Sequence, residues 1–151
     1  MLRETLKILF NRDLKRLITE IEQYSTDANL WKIKGQINNS GGNLCLHLIG
    51  NLNTYICKEL GKIEYIRHRE LEFSLKDIPR QELIQKIENT IEIIDETLNN
   101  FDENLLEAEY PILVFDEKTS NEYLLVHLTT HLTYHLGQIN YHRRLIESDE
   151  K

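Results

Sequence analysis

Four stretches of this chain repeat apolar residues every three or four positions, and that spacing restricts the fold more than any other feature. Leu2, Leu6, Leu9, Phe10, Leu17, Ile21 and Tyr24 form the first series, the pattern that places one stripe of side chains on a single face of an α-helix. Leu44, Leu48, Leu52, Tyr55 and Ile56 follow the Gly41–Gly42 pair, with Gly61 expected as the C-terminal cap after Leu60. A third series starts near Pro79 and carries Leu83, Ile84, Ile87, Ile91, Ile94 and Leu98. The fourth carries Leu125, Leu128, Leu132, Leu136 and Ile139 and runs to about Ile146; Thr119-Ser-Asn-Glu122 ahead of it has the form of a capping box. Only six Gly and two Pro occur in 151 residues, so little opposes long helices. The expected fold is all-α: a single domain over residues 1–151, built as an up-down-up-down antiparallel four-helix bundle.

The connections are long. Residues 61–78 include the charged run Arg67-His-Arg-Glu70, and residues 101–118 include Tyr110-Pro-Ile-Leu-Val-Phe115, which reads as a short extended piece. Loops of this length in a compact domain are often packed across a site. The net charge of −7 disfavours nucleic acid and anionic membrane surfaces as partners. The N-terminal residues are interrupted by charge at every turn, and no stretch approaches transmembrane length. Cys45 and Cys57 fall on one predicted helix, about 18 Å apart, too far to bridge. Without a disulfide framework, a reducing cytoplasm is the expected location.

Four of the six histidines fall in the last predicted helix, and His127, His131 and His135 repeat at four-residue steps. Each step advances about 40° beyond a full turn, so neighbours share a face and two imidazoles can reach one ion. This stripe borders the core stripe of Leu128, Leu132, Leu136 and Ile139. His47 borders the apolar stripe of the second helix in the same way. In an up-down-up-down bundle those two helices run parallel. Counted back from their C-terminal ends, His47 and His135 then lie about 12 to 13 residues deep and His131 about 16, whereas His127 falls about 10 Å from His47 in depth. His47, His131 and His135 are therefore the expected metal ligands. His68 and His142 read as hydrogen-bonded packing residues. Asn51, Gln138, Tyr134, Trp31 and His127 are candidates for contacts to the ligands or to substrate, with Gln138 one turn beyond His135 on the same stripe.

At these residues the chain resembles the DinB-like superfamily, including its YfiT-like metalloenzymes. Leu46-His47-Leu48-Ile49-Gly50-Asn51-Leu52 carries one part of the resemblance, and His131-Leu-Thr-Tyr-His135-Leu-Gly137-Gln138-Ile139 the more specific part. It implies a bundle that binds a divalent metal through His47, His131 and His135. It also implies a dimer, with a small-molecule substrate such as a low-molecular-weight thiol. Many members carry an acidic residue or a second histidine where this chain has Asn51, and Arg where it has Leu136.

Three neutral imidazoles leave coordination positions open, the layout of a catalytic rather than a structural site. Zinc or nickel suits such donors, with manganese and ferrous iron the alternatives. An open ion of this kind lowers the pKa of a bound water or thiol. Two functions fit: a metal-dependent enzyme of the thiol transferase or hydrolase type, and a non-catalytic metal- or ligand-binding bundle acting as an interaction module.

Overall fold

The computed structural model describes residues 1–148, and each regular element among them is helical. The long helices are α1 (Leu2–Gln23), α2 (Gly41–Leu52), α4 (Arg80–Asn100) and α5 (Asn121–Ser148); a short α3 (Arg69–Ser74) lies between α2 and α4. Helix α2 continues into a wider, π-helical turn over Asn53–Lys58. Where the turn widens, the Thr54 hydroxyl donates to the carbonyl of Gly50 and the Asn53 amide to that of Ile49. Leu6, Phe10 and Leu17 of α1, Leu48 and Leu52 of α2, Leu83 and Ile87 of α4, and Leu124, Leu128 and Ile139 of α5 share one buried core, as their helical spacing requires. Among the described residues, no helix is long and apolar enough to cross a membrane.

The all-α class is as the sequence implies, but the helix directions are not. Arg3 meets Phe101 and Asn11 meets Asp95, so α1 and α4 are antiparallel. Asp13 bonds Thr133 and Glu20 bonds Asn140, so α1 and α5 are parallel. Asn53 bonds Thr90, and Gly61 lies against Thr97, so α2 and α4 are parallel. Gly41 sits beneath His142 while His47 meets His131, so α2 and α5 are antiparallel. In chain order the four long helices run up, down, down, up. The cause is the crossover between Lys58 and Arg80, which carries the chain back along the molecule before α4 begins. A connection of that length permits parallel neighbours, which a short hairpin cannot.

Two helix ends differ from expectation. Gly61 does not adopt the left-handed conformation; Lys62 does, with φ of 56°. Gly61 is required for another reason, since a β-carbon there would collide with the Thr97 hydroxyl and the Cys57 carbonyl. At α5 the N-terminal cap is Ser120, whose hydroxyl accepts from the Tyr123 N–H, not Thr119, whose carbonyl is taken by the Tyr110 N–H. The extended pairing expected near Tyr110 reduces to one isolated bridge, Glu109 to Ser120.

The crossover is fastened onto α2. Ser40 caps α2 by accepting from the Asn43 N–H. The Asn43 amide then donates to the carbonyls of Glu72 and Leu75, at 3.0 and 2.8 Å. Lys76 donates to the Asn43 side-chain oxygen. These bonds fasten the C-terminal end of α3 to the first turn of α2.

Candidate metal centre

His47 projects from the middle of α2, and His131 and His135 from successive turns of α5. Their Nε2 atoms converge: His47 to His131 is 3.2 Å and His131 to His135 is 3.1 Å. One nitrogen from each lies within 4.8 Å of the others. Two donors about 2.1 Å from one ion are separated by about 3.0 Å at octahedral angles and about 3.4 Å at tetrahedral ones. The two separations from His131 lie between these limits.

The other face of each ring explains why Nε2 is free. Glu72 of α3 is buried, and its Oε1 lies 3.1 Å from His47 Nδ1. Arg67 grips the same carboxylate in a two-pronged contact, Nε to Oε2 at 2.8 Å and Nη2 to Oε1 at 3.0 Å. Burial opposes ionisation of Glu72, but the hydrogen bonds from His47 and Arg67 outweigh it and hold its pKa below the ordinary carboxylate value. A carboxylate can only accept, so His47 Nδ1 carries a proton, and in the neutral ring the lone pair is then on Nε2. His135 repeats the arrangement, with Nδ1 at 2.7 Å from Gln138 Oε1. Its Nε2 is likewise a bare acceptor.

Two lone pairs therefore point at the third ring. A proton on His131 Nε2 could satisfy one of them at a time, and His131 Nδ1 is itself buried without a partner among the described residues. Burial, reinforced by His135, His47, His127 and Arg67, pushes the His131 pKa down to about 4. Burial also lowers that of His135, against the raising effect of its bond to Gln138. With those two rings neutral, the nitrogens that can accept outnumber the single proton that His131 can offer. That is the electronic demand a cation meets, and the residues present fit a divalent metal.

Glycine at position 50 makes this possible. A β-carbon on Gly50 would land on the Glu72 carboxylate. The ring of Phe73 covers His47 at 5.0 Å between centroids.

The depth reasoning from the sequence rested on α2 and α5 being parallel, and the antiparallel pairing removes it. His47 meets His131 and His135 because the two helices pass in opposite directions at that level. His127 lies one turn before His131 on α5, stacked 6.2 Å from the His131 ring and edge-on to Phe115 at 4.8 Å. Asn51, Tyr55, His127 and His131 line a pocket of about 180 Å³ on that side. On the other side, Gln138 borders a broader cleft of about 940 Å³ together with Leu44, Tyr141 and Leu145.

The remaining candidates lie elsewhere. Trp31 is buried, its ring pressed on Gly42, and it lines neither opening. Tyr134 is largely exposed, with its ring 5.3 Å from that of His135. His142 is a packing residue. Its Nε2 donates to the Lys32 carbonyl at 2.7 Å, so its Nδ1 accepts from the Tyr24 hydroxyl at 2.6 Å. His68 is exposed beside Glu70. Cys45 and Cys57 are unpaired and buried, and burial pushes both thiols up to about 12. Sequence reasoning missed Glu72 and the role of Arg67. The signal was faint: a charged run in a long connection, with no periodicity to aim it.

Comparison with known proteins agrees with the fold and does not assign an activity. A crystal structure of a conserved protein from Enterococcus faecalis superposes with a TM-score of 0.76 at 15% identity, over 96% of each chain. At that identity the likeness speaks to the fold alone. None of the curated proteins matches the chain. Residues 4–151 match the family described as Protein of unknown function (DUF1572), and the chain belongs to that family.

Proposed function

We propose that this protein binds one divalent transition metal through His47, His131 and His135 and acts on a small molecule held at the open side of that ion. The observation that carries this reading is that the Nε2 atoms of His47 and His135 lie 3.2 and 3.1 Å from that of His131, with the Nδ1 atoms of His47 and His135 occupied by Glu72 and Gln138. Zinc or nickel fits the donors best. When bound, such an ion supplies Lewis acidity and lowers the pKa of a water or thiol beside it.

The protein's own part is orientation. Glu72 and Gln138 fix two of the imidazoles in the tautomer that presents Nε2. Burial keeps His131 neutral and ready to ligate. Helices α2 and α5 provide all three donors from one groove, so approach to the far side stays open through the pocket at Asn51 and His127. The chemistry that suits this arrangement is transfer of a small thiol to an electrophile, or hydrolysis.

The test begins with metal content. After loading with zinc or nickel and dialysis, the expected result is about one ion per chain, lost in His131→Ala. Absence of metal from the unmodified chain after loading would refute the reading. A screen of small thiols against electrophiles then identifies the reaction, with turnover abolished by the same substitution.

A further inference from the structure

The pocket beside the histidines carries a chemical preference that the metal alone does not. The chain is acidic, with 25 Asp and Glu against 18 Lys and Arg, yet no carboxylate lines this pocket. Its polar walls are Asn51, Tyr55, Arg67, Arg69 and the imidazoles of His47, His127 and His131. Glu72, which bonds two residues of this wall, does not line the pocket itself and is committed to Arg67 and His47.

Arg69 is the unusual member. It stands at the start of α3, exposed, with its guanidinium 5.4 Å from the centroid of the Phe73 ring. It has no ion-pair partner among the described residues. Stacking on Phe73, whose other neighbour is His47, keeps this cation at the pocket instead of letting it swing into solvent. A second observation points the same way. Asn51 is only 7% exposed, lines the pocket, and its Oδ1 has no hydrogen-bond partner among the described residues. A buried acceptor left unpaired costs free energy unless a ligand donor meets it.

From the Arg69 guanidinium, the carboxylate-free wall and the unpaired Asn51 oxygen, we infer that this pocket holds an organic acid: a carboxylate-bearing small molecule with a hydrogen-bond donor nearby. Its carboxylate meets Arg69, its donor meets Asn51 Oδ1, and its reacting atom is left facing His47 and His131. Arg67 adds positive potential but is already bound by Glu72, so Arg69 carries the recognition. This assignment rests on the metal reading above only for the identity of the reacting end.

The test uses two thiols of the same shape and different charge, 3-mercaptopropionate and 3-mercaptopropionamide, with the cobalt-loaded protein. Thiolate binding to cobalt is read from its near-ultraviolet charge-transfer band. The carboxylate is expected to bind on the order of tenfold more tightly than the amide. In Arg69→Gln the two should come within about twofold of one another, with amide affinity and cobalt content unchanged, since Arg69 touches no ligand histidine. Equal affinity of the two thiols for the unmodified protein would overturn the inference, as would a preference that survives Arg69→Gln. If the chain takes up no cobalt, the metal reading fails by itself. The pocket is then judged by calorimetric titration of the same pair into the metal-free protein, where a carboxylate preference dependent on Arg69 sustains it and no preference overturns it.

Discussion

Replacing Glu72 with Gln tests the site at the point where ligand orientation depends on a residue outside the ligand set. Glu72 receives three hydrogen bonds through two oxygens: one from His47 Nδ1 and two from Arg67. An amide has one oxygen and one NH2. Whichever way it turns, its NH2 faces at least one N–H donor, and the formal charge that holds both partners is gone. If the oxygen stays with His47, Arg67 loses half of its grip; if it turns to Arg67, His47 loses its tautomer lock. Loss of such an orienting partner lowers metal affinity by about 10- to 100-fold, or roughly 1.4–2.7 kcal/mol. The metal-free fold should weaken as well. The Arg67 side chain is only 14% exposed, and leaving a buried charge without its partner costs on the order of 3 kcal/mol. Zinc affinity by chelator competition and thermal unfolding of the metal-free chain separate the two effects. A Glu72→Gln protein whose zinc affinity stays within twofold of the original would refute the orienting role, whatever happened to its stability.

Three further outcomes follow from the same geometry. Gly50→Ala places a methyl group where the Glu72 carboxylate lies, so it should lower zinc affinity like Glu72→Gln, and the double substitution should fall short of the sum because both act on one contact; full additivity would show that Gly50 matters for something else. His131 is held near pH 4 in the fold against an ordinary 6.5, and His135 is lowered too. The unfolded chain therefore takes up protons first, and metal-free stability should fall as pH drops from about 6.5 towards 4. Glu72 and Asp13, whose pKa values are depressed in the fold, add a separate loss at still lower pH, and denaturant midpoints measured across pH should show both windows. Lys62 holds a φ of 56°, so Lys62→Gly should raise stability by roughly 0.5–1 kcal/mol without changing metal content, and a lower thermal midpoint would count against strain at that residue.

Much of this was legible in the sequence, and the failures share a cause. Periodicity located all four long helices because each buries one apolar stripe. The His131–His135 pair was legible because both residues sit on a single helix, where i and i+4 side chains meet regardless of the rest of the fold. His47 needed tertiary information. It was selected on the assumption of parallel helices, and it meets its partners in an antiparallel pair. Both arrangements bring the middle of one helix to the middle of another, which is why a wrong direction still yielded a residue that faces the pair. Glu72 was not legible at all. It lies on a six-residue helix inside a connection, where no repeat reveals a face, and its burial follows from Asn43 clamping that connection to α2.

The crossover thus links two properties that sequence alone would treat separately. Arg67, Arg69 and Glu72 fall within six residues of one segment. Glu72 orients a metal ligand and also holds Arg67 at the pocket wall, so any change at Glu72 alters ligand geometry and pocket charge together. A weakened reaction in Glu72→Gln would not tell which of the two mattered. Arg69 is different: it bonds neither Glu72 nor a histidine and rests on Phe73 alone. Its replacement changes what the pocket attracts and leaves the three nitrogens where they are. Metal affinity should therefore respond to Glu72 and not to Arg69, while discrimination between charged and neutral ligands should respond to both.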